Sequence, residues 1–228
     1  MLVFVQRAGE VAGPIADLSS LDLTLAGGLV LIAVGISRWQ GLGLGRSLVV
    51  GAIRTVVQLA LVGYVLVYVF ALDRWYVVVA VLLVMLAVAT RTAVARQGKS
   101  RSPLVGITGT AMLLGSGLTL VYVGAAVVRV EPWYNPRYLI PLFGMIVGNA
   151  MNAAALAAER LAGEMEARRA EIEAHLALGA DHGSAAREPV RRALLASLIP
   201  TVNGLMVVGI VSIPGMMTGQ VIAGASPL

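Results

Sequence analysis

The amino-acid sequence predicts an all-α polytopic membrane protein: six transmembrane helices plus a truncated seventh, with a cytoplasmic coupling elbow between the fifth and the sixth. Three observations lead there. Of the 228 residues, 58% are hydrophobic and only 13% are charged, with a mean hydropathy of +0.87. A soluble domain runs at about 45–50% apolar and about 25% charged, so this surplus cannot be hidden inside one globule of this size. Apolar runs long enough to cross about 30 Å of hydrocarbon, about 20 helical residues each, recur along the chain. Finally, the basic residues gather in alternate loops. Together these argue against disorder, a soluble enzyme, a coiled coil and a disulfide scaffold, the last because the chain has no cysteine. In this setting a pI near 10.1 reads as basic anchoring loops rather than as nucleic-acid binding.

The apolar runs cover residues 21–37, 48–71, 75–95, 104–128, 138–161 and 193–213. The first is short and carries Asp22 at its edge. Before it, Glu10, Pro14 and Asp17 follow a brief apolar start. That stretch lacks the charged and apolar regions of a cleavable signal, so the first span is read as a retained helix. After Pro214 the residues GMMTGQVIAGASPL contain no charge and no basic anchor. The expectation is a chain truncated before its last span.

Orientation follows from the charges. One set of loops holds 13 of the 17 basic and 7 of the 12 acidic residues, net +6, including Arg38, Arg46, Arg54, Arg91 and the segment from Arg160 to Arg192. The other holds Arg7, Arg74, Arg129 and Arg137 against five carboxylates, net −1. The positive set belongs in the cytoplasm, which places the N-terminus outside and implies a multi-pass protein of the inner (cell) membrane. Trp75, Trp133, Tyr134 and Tyr138 fall at the outer boundary and Trp39 at the inner one, where amphipathic rings prefer to sit. The triplet Gly98-Lys99-Ser100 imitates the end of a phosphate-binding loop. Position 93 is Ala93, where that loop needs glycine, and the segment follows a membrane span instead of a strand, so it reads as a basic anchor.

Residues 162–192, AGEMEARRAEIEAHLALGADHGSAAREPVRR, form the cytoplasmic elbow. Leu161, Met165, Ile172 and Leu176 share one helical face, and Glu164 and Arg168 make a helix-supporting pair. The fifth span is therefore expected to continue out of the membrane as an amphipathic helix. Gly179 is placed to end it and Asp181 to cap a following helix. Such a projection suits an energy-coupling contact, though a merely solvated helical hairpin has the same pattern. Glu173, Ala174 and Gly179 form E-A-x-x-x-x-G, which resembles loosely the EAA signature of ABC importer permeases. His175 stands where that signature has its third residue.

A closer resemblance covers nearly the whole chain from about residue 25. The blocks RTVVQLALVGYVL (Arg54 to Leu66), GMIVGNAMNAAALAAERL (Gly144 to Leu161), LALGAD and LIPTVNGLMVVGIVSIPGMMTGQVIAGASPL (Leu198 to Leu228) are similar to the FetB-type family of iron-export ABC transporter permeases. Its most distinctive pieces are GNAMNA and SIPGMMTGQ. The resemblance implies a single permease domain over residues 1–228, non-catalytic, working with a separate ATP-binding subunit that carries the ATP and magnesium. It also implies a permease homodimer in a lipid bilayer, with no nucleic-acid partner and no cofactor on this chain. The family includes plant relatives linked to aluminium tolerance and to sugar-nucleotide transport, so a nucleotide sugar is an alternative substrate to iron. The coupling contact would fall on Glu173, Leu176, Leu178, Gly179, Ala180 and Asp181.

Polar residues within the spans are the remaining candidates. Arg54 and Gln58, four apart, face one way on the second span; Arg54 either snorkels to the cytoplasmic headgroups or faces the bundle interior. Asn149 and Asn152 lie beside Gly144 and Gly148, a GxxxG pair that permits close helix approach. They either bond across a packed interface or line a pathway, and Asn203, just after Pro200, offers the same choice. The run from Pro214 through Gly215, Met216 and Met217 to Gly219 is expected to break the helix near the outer face. Its methionines are either adaptable packing or soft contacts to a metal. His175 and His182 read as surface residues, so no metal ligand is assigned. An ATP-independent carrier would need ionisable groups at midplane, and their scarcity argues against it.

Overall fold

The computed structural model describes residues 20–72, 74–95, 102–222 and 224. Among the described residues its regular structure is helical, apart from one isolated bridge between Val208 and Ser212. The helices are α1 (Ser20–Trp39), α2 (Gly45–Leu72), α3 (Trp75–Ala95), α4 (Ser102–Tyr122), α5 (Pro136–Ala167), α6 (Arg169–Ala177), α7 (His182–Ala185), α8 (Arg187–Val207) and α9 (Gly215–Ile222). A π-helical segment, Val123–Val128, extends α4. Among the described residues five helices are long and apolar enough to cross a membrane, α2, α3, α4 with its extension, α5 and α8, while α1 adds a shorter apolar stretch over Gly27–Trp39. The N-terminal stretch before residue 20, Asp73, the basic anchor at 96–101 and the end of the chain after residue 224 lie outside the described residues.

The chain divides into two compact units. One holds residues up to Ala71 together with those from Gly215 onward, and the other runs from Leu72 to Pro214. In the first unit the turn between α1 and α2 is tied down by Ser37, which is buried and accepts a hydrogen bond on its hydroxyl from the Leu44 amide at 3.1 Å. Of the residues of α2 only Val69 is buried. Its remaining apolar surface is suited to lipid or to a packing partner.

The second unit is organised around α5, which packs against α3, α4 and α8. On α3 the buried residues Val78, Leu82, Leu86 and Ala89 recur at three- and four-residue spacing, the stripe a helix presents to its neighbours. On α5 Leu139, Ile140, Phe143 and Val147 are buried. The Gly144 face comes so close to α3 that a Cβ there would sit 3.3 Å from the terminal methyl of Met85, as the small-residue pair predicts. Gly148, its partner in the motif, meets nothing within 4 Å. Aromatic rings stand at helix ends, with Trp75 against Tyr76 and Trp133 against Tyr134 in edge-on pairs.

Length gives α5 a second role. At 32 residues it is about 48 Å long, well beyond the about 30 Å of hydrocarbon. Apart from Arg137 in the first turn, its charges, Glu159, Arg160, Glu164 and Glu166, lie in the last nine residues. The surplus is a charged rod standing outside the apolar layer.

Three details differ from the sequence expectations. The sixth span ends at Val207 rather than 213, because the Val207 carbonyl accepts from the amides of Ile210, Val211 and Ser212 and Gly209 turns at φ +85. The break expected from Pro214 to Gly219 therefore lies earlier, at residues 208–214, and Gly215 to Ile222 is helix. Finally, the amphipathic helix of the elbow is in two pieces, divided at Arg168 with φ −108 and ψ 19.

Candidate functional site

The elbow is built by a stop signal and a start signal placed almost back to back. At the end of α6 the Ala180 amide donates to the His175 carbonyl and the Gly179 amide to the Leu176 carbonyl, both at 3.0 Å. These are the two bonds of a Schellman motif, which needs a left-handed residue between them. Gly179 supplies it at φ +91. Asp181 then adopts extended backbone, and its carboxylate accepts from the Ser184 amide at 3.1 Å and from the Ser184 hydroxyl, capping α7. Those bonds, the hydroxyl first, hold the Asp181 carboxyl below the usual carboxylate range.

Ion pairs stiffen the approach. Arg168 spans the division between α5 and α6, reaching Glu164 at 3.4 Å and Glu171 at 3.2 Å. Glu173 is held by Arg169 at 2.9 Å, and that hydrogen bond raises the Arg169 pKa. Exposed pairs of this kind add little to stability because water screens them, so their effect is to select a conformation more than to stabilise the fold. At the apex Leu178 is 85% exposed while Leu176 and Ala180 are half-buried. A large apolar side chain presented on a rigid, otherwise polar projection is what a docking contact uses.

Between α5 and α8, the two helices that carry the elbow, lies a cleft of about 380 Å³. Asn149 and Asn152 line it from α5, and Ser197, Thr201 and Gly204 from α8, with Ser212 beyond the end of that helix. Its lining is amide, hydroxyl and apolar, with no charged side chain. From Asn152 to the end of α5 at Ala167 is about 22 Å of continuous helix, so cleft and elbow are joined by one rigid rod.

Of the candidates named from sequence, Asn149 and Asn152 reach the cleft and Asn203 does not, while Gly144 serves α3 packing. Arg54 and Gln58 are exposed on α2 in the first unit. Pro214 ends the second unit, and Gly215 and Met217 lie on α9, where the Met216 side chain is outside the described residues. Ser197, Gly204 and Ser212 were missed. The signal was available for two of them: positions 197, 201, 204 and 208 recur at helical spacing along one side of α8. Among the described residues no three His, Cys, Asp or Glu side chains come together as a metal site.

The sequence profile described as Uncharacterised protein family (UPF0014) matches residues 20–228. A UPF0014 membrane protein of Synechocystis sp. is 44% identical over 212 residues, 93% of this chain and 82% of that one. The protein of Escherichia coli named "Probable iron export permease protein FetB" is 33% identical over 93% of this chain and 80% of its own length. Protein ALUMINUM SENSITIVE 3 of Arabidopsis thaliana is 34% identical over 88% of this chain and 72% of its own. No solved structure matches.

Proposed function

The chain belongs to the UPF0014 family of membrane proteins, and from that premise we propose that it is the permease subunit of an ABC transporter that moves a metal ion, iron by analogy with the Escherichia coli relative. The observation that carries this reading is the joining of cleft to elbow: α5 and α8 line the polar cleft, and the short helices α6 and α7 continue them to the capped turn at Gly179 and Asp181. A separate ATP-binding subunit binds ATP with magnesium and docks on Leu178 and its neighbours. Its closure moves α5 and α8 against each other and alternates access to the cleft. Two copies work together in the inner membrane, N-terminus outside and elbow in the cytoplasm, an orientation that the distribution of basic residues supports.

The cleft's chemistry suits passage more than storage. A pathway must bind its cargo weakly enough to let it leave, and the neutral oxygens of Asn149, Asn152, Ser197 and Thr201 offer a partly hydrated cation contacts without a fixed counter-charge. The same amides and hydroxyls also fit a nucleotide sugar. Proteoliposomes containing the chain and its ATP-binding partner separate these cargoes: ATP-dependent movement of iron supports the metal reading, and movement of a nucleotide sugar alone replaces it. ATP-independent movement would make the protein a carrier.

A further inference from the structure

We infer that the end of the second unit read above as outer holds a binding site for one zwitterionic aminophospholipid, its phosphate on Arg129 and its ammonium on Glu131. Where the α4 span ends, a cavity of about 510 Å³ lies between α3, the π-helical segment and α5, a volume within the about 300–1,000 Å³ of ligand pockets. Leu82, Leu120 and Leu139 each give it an apolar wall from a different helix, and all of its lining falls within the second unit. Gly124 lines it too, and a Cβ there would meet nothing within 4 Å. The cavity shares no lining residue with the cleft between α5 and α8.

Charge is confined to the mouth. Residues 129–135 link the spans Leu104–Val128 and Pro136–Ala167, so Arg129 and Glu131 stand at the headgroup level of a membrane. Both line the cavity and both are exposed. Among the described residues neither has an ion-pair partner, not even the other. The backbone fixes the arginine there: its amide and that of Val130 both donate to the Gly124 carbonyl. Arg129 is thereby held at φ 53, an uncommon conformation for a residue with a side chain. Strained residues of this kind and π-helical turns both recur at ligand sites. Trp133, 63% exposed, completes the rim, as indoles do at a membrane boundary. An apolar helix laid over this mouth would bury a cation and an anion without partners, which is costly. A phospholipid carrying a phosphate and a primary ammonium satisfies both. The guanidinium donates to phosphate oxygens, the ammonium donates to the carboxylate, and an acyl chain fills the apolar cavity. A choline headgroup has no N–H to donate and a glycerol headgroup has no cation, so Glu131 discriminates among lipids.

The test is to titrate the full-length protein in detergent with phosphatidylethanolamine, phosphatidylcholine and phosphatidylglycerol of identical acyl chains, counting bound lipid by native mass spectrometry. The parent should retain one phosphatidylethanolamine at about tenfold lower concentration than either of the others, the worth of one charge-assisted contact. Glu131→Gln should bring phosphatidylethanolamine level with phosphatidylcholine. Arg129→Gln should weaken all three lipids, since each carries the phosphate. Gly124→Leu, whose side chain enters open space, should melt like the parent yet retain none. If that variant does not fold, the exposed Glu131→Gln change decides alone. Equal retention of all three lipids, a preference that survives Glu131→Gln, or lipid held by a folded Gly124→Leu variant would each overturn the site. Retention of no lipid by the parent would overturn it too and assign the cavity to another segment of the same chain. Glycerophosphoethanolamine, the headgroup without acyl chains, should fail to displace the lipid at equal concentration; displacement would overturn the lipid in favour of a soluble zwitterion.

Discussion

Replacing Gly179 should uncouple ATP hydrolysis from transport while leaving the protein inserted and folded. The residue sits at φ +91 between the two bonds that end α6. A Cβ there would meet nothing within 4 Å, so the whole penalty of substitution is backbone strain. For a residue with a side chain that strain is about 1–2 kcal/mol, which shifts the elbow away from its capped geometry by a factor of about 5–30. Global unfolding is spared because the turn is exposed and the core of the second unit lies elsewhere. In proteoliposomes with the ATP-binding partner, Gly179→Val should lower cargo moved per ATP by about that factor. Gly179→Asn should recover most of it, since asparagine tolerates the left-handed region. Coupling unchanged in the Val variant would refute the reasoning. So would an Asn variant as defective as Val, because strain would then not be the cause.

The other expectations follow from the same geometry. Asp181→Ala should loosen α7, seen as faster hydrogen exchange at the Ser184 amide, whose bond to the carboxylate is lost. Because the Asp181 pKa is lowered in the folded protein, its contribution is complete above the ordinary carboxylate range and disappears as pH falls through the depressed value. Protection of the Ser184 amide, its exchange relative to an unstructured amide at the same pH, should therefore hold at neutral pH and fall only in that acidic window. Gly144→Leu should overpack the α3–α5 contact at Met85 and destabilise by about 1–3 kcal/mol, whereas Gly148→Ala, with open space around it, should melt like the parent in detergent. Asn152→Leu should abolish cargo-stimulated ATP turnover and spare assembly with the ATP-binding partner. Asn203→Leu, outside the cleft, should leave both stimulation and assembly intact.

What could be read from the sequence was whatever depends on side-chain chemistry at regular spacing. The membrane helices were visible as apolar runs, and the turn of the elbow was visible because Gly179 and Asp181 are the residue types that stop and start helices. Backbone events inside apolar or charged runs were hidden. Val208 to Pro214 reads as membrane helix by hydropathy, yet Gly209 turns it into a compact loop. The division at Arg168 lies within an alternating-charge pattern that a single helix would satisfy equally well, and its ion pairs to Glu164 and Glu171 are the very pairs that suggest continuity. The π-helical segment from Val123 to Val128 carries only small and β-branched residues and no marker of any kind. The cleft was half legible, since asparagines stand out in an apolar span while Ser197 and Gly204 do not.

The central claim, that this chain couples a partner's ATP hydrolysis to a cargo in its membrane cleft, is tested most directly by ATP turnover in lipid. The full-length protein is co-purified with its candidate ATP-binding subunit, and turnover is recorded while ferrous iron, other metals and a nucleotide sugar are titrated. The account predicts a stable complex whose turnover rises with the metal and loses that rise in Gly179→Val. A chain that forms no complex with the ATP-binding subunit, or a complex indifferent to every cargo, would contradict it.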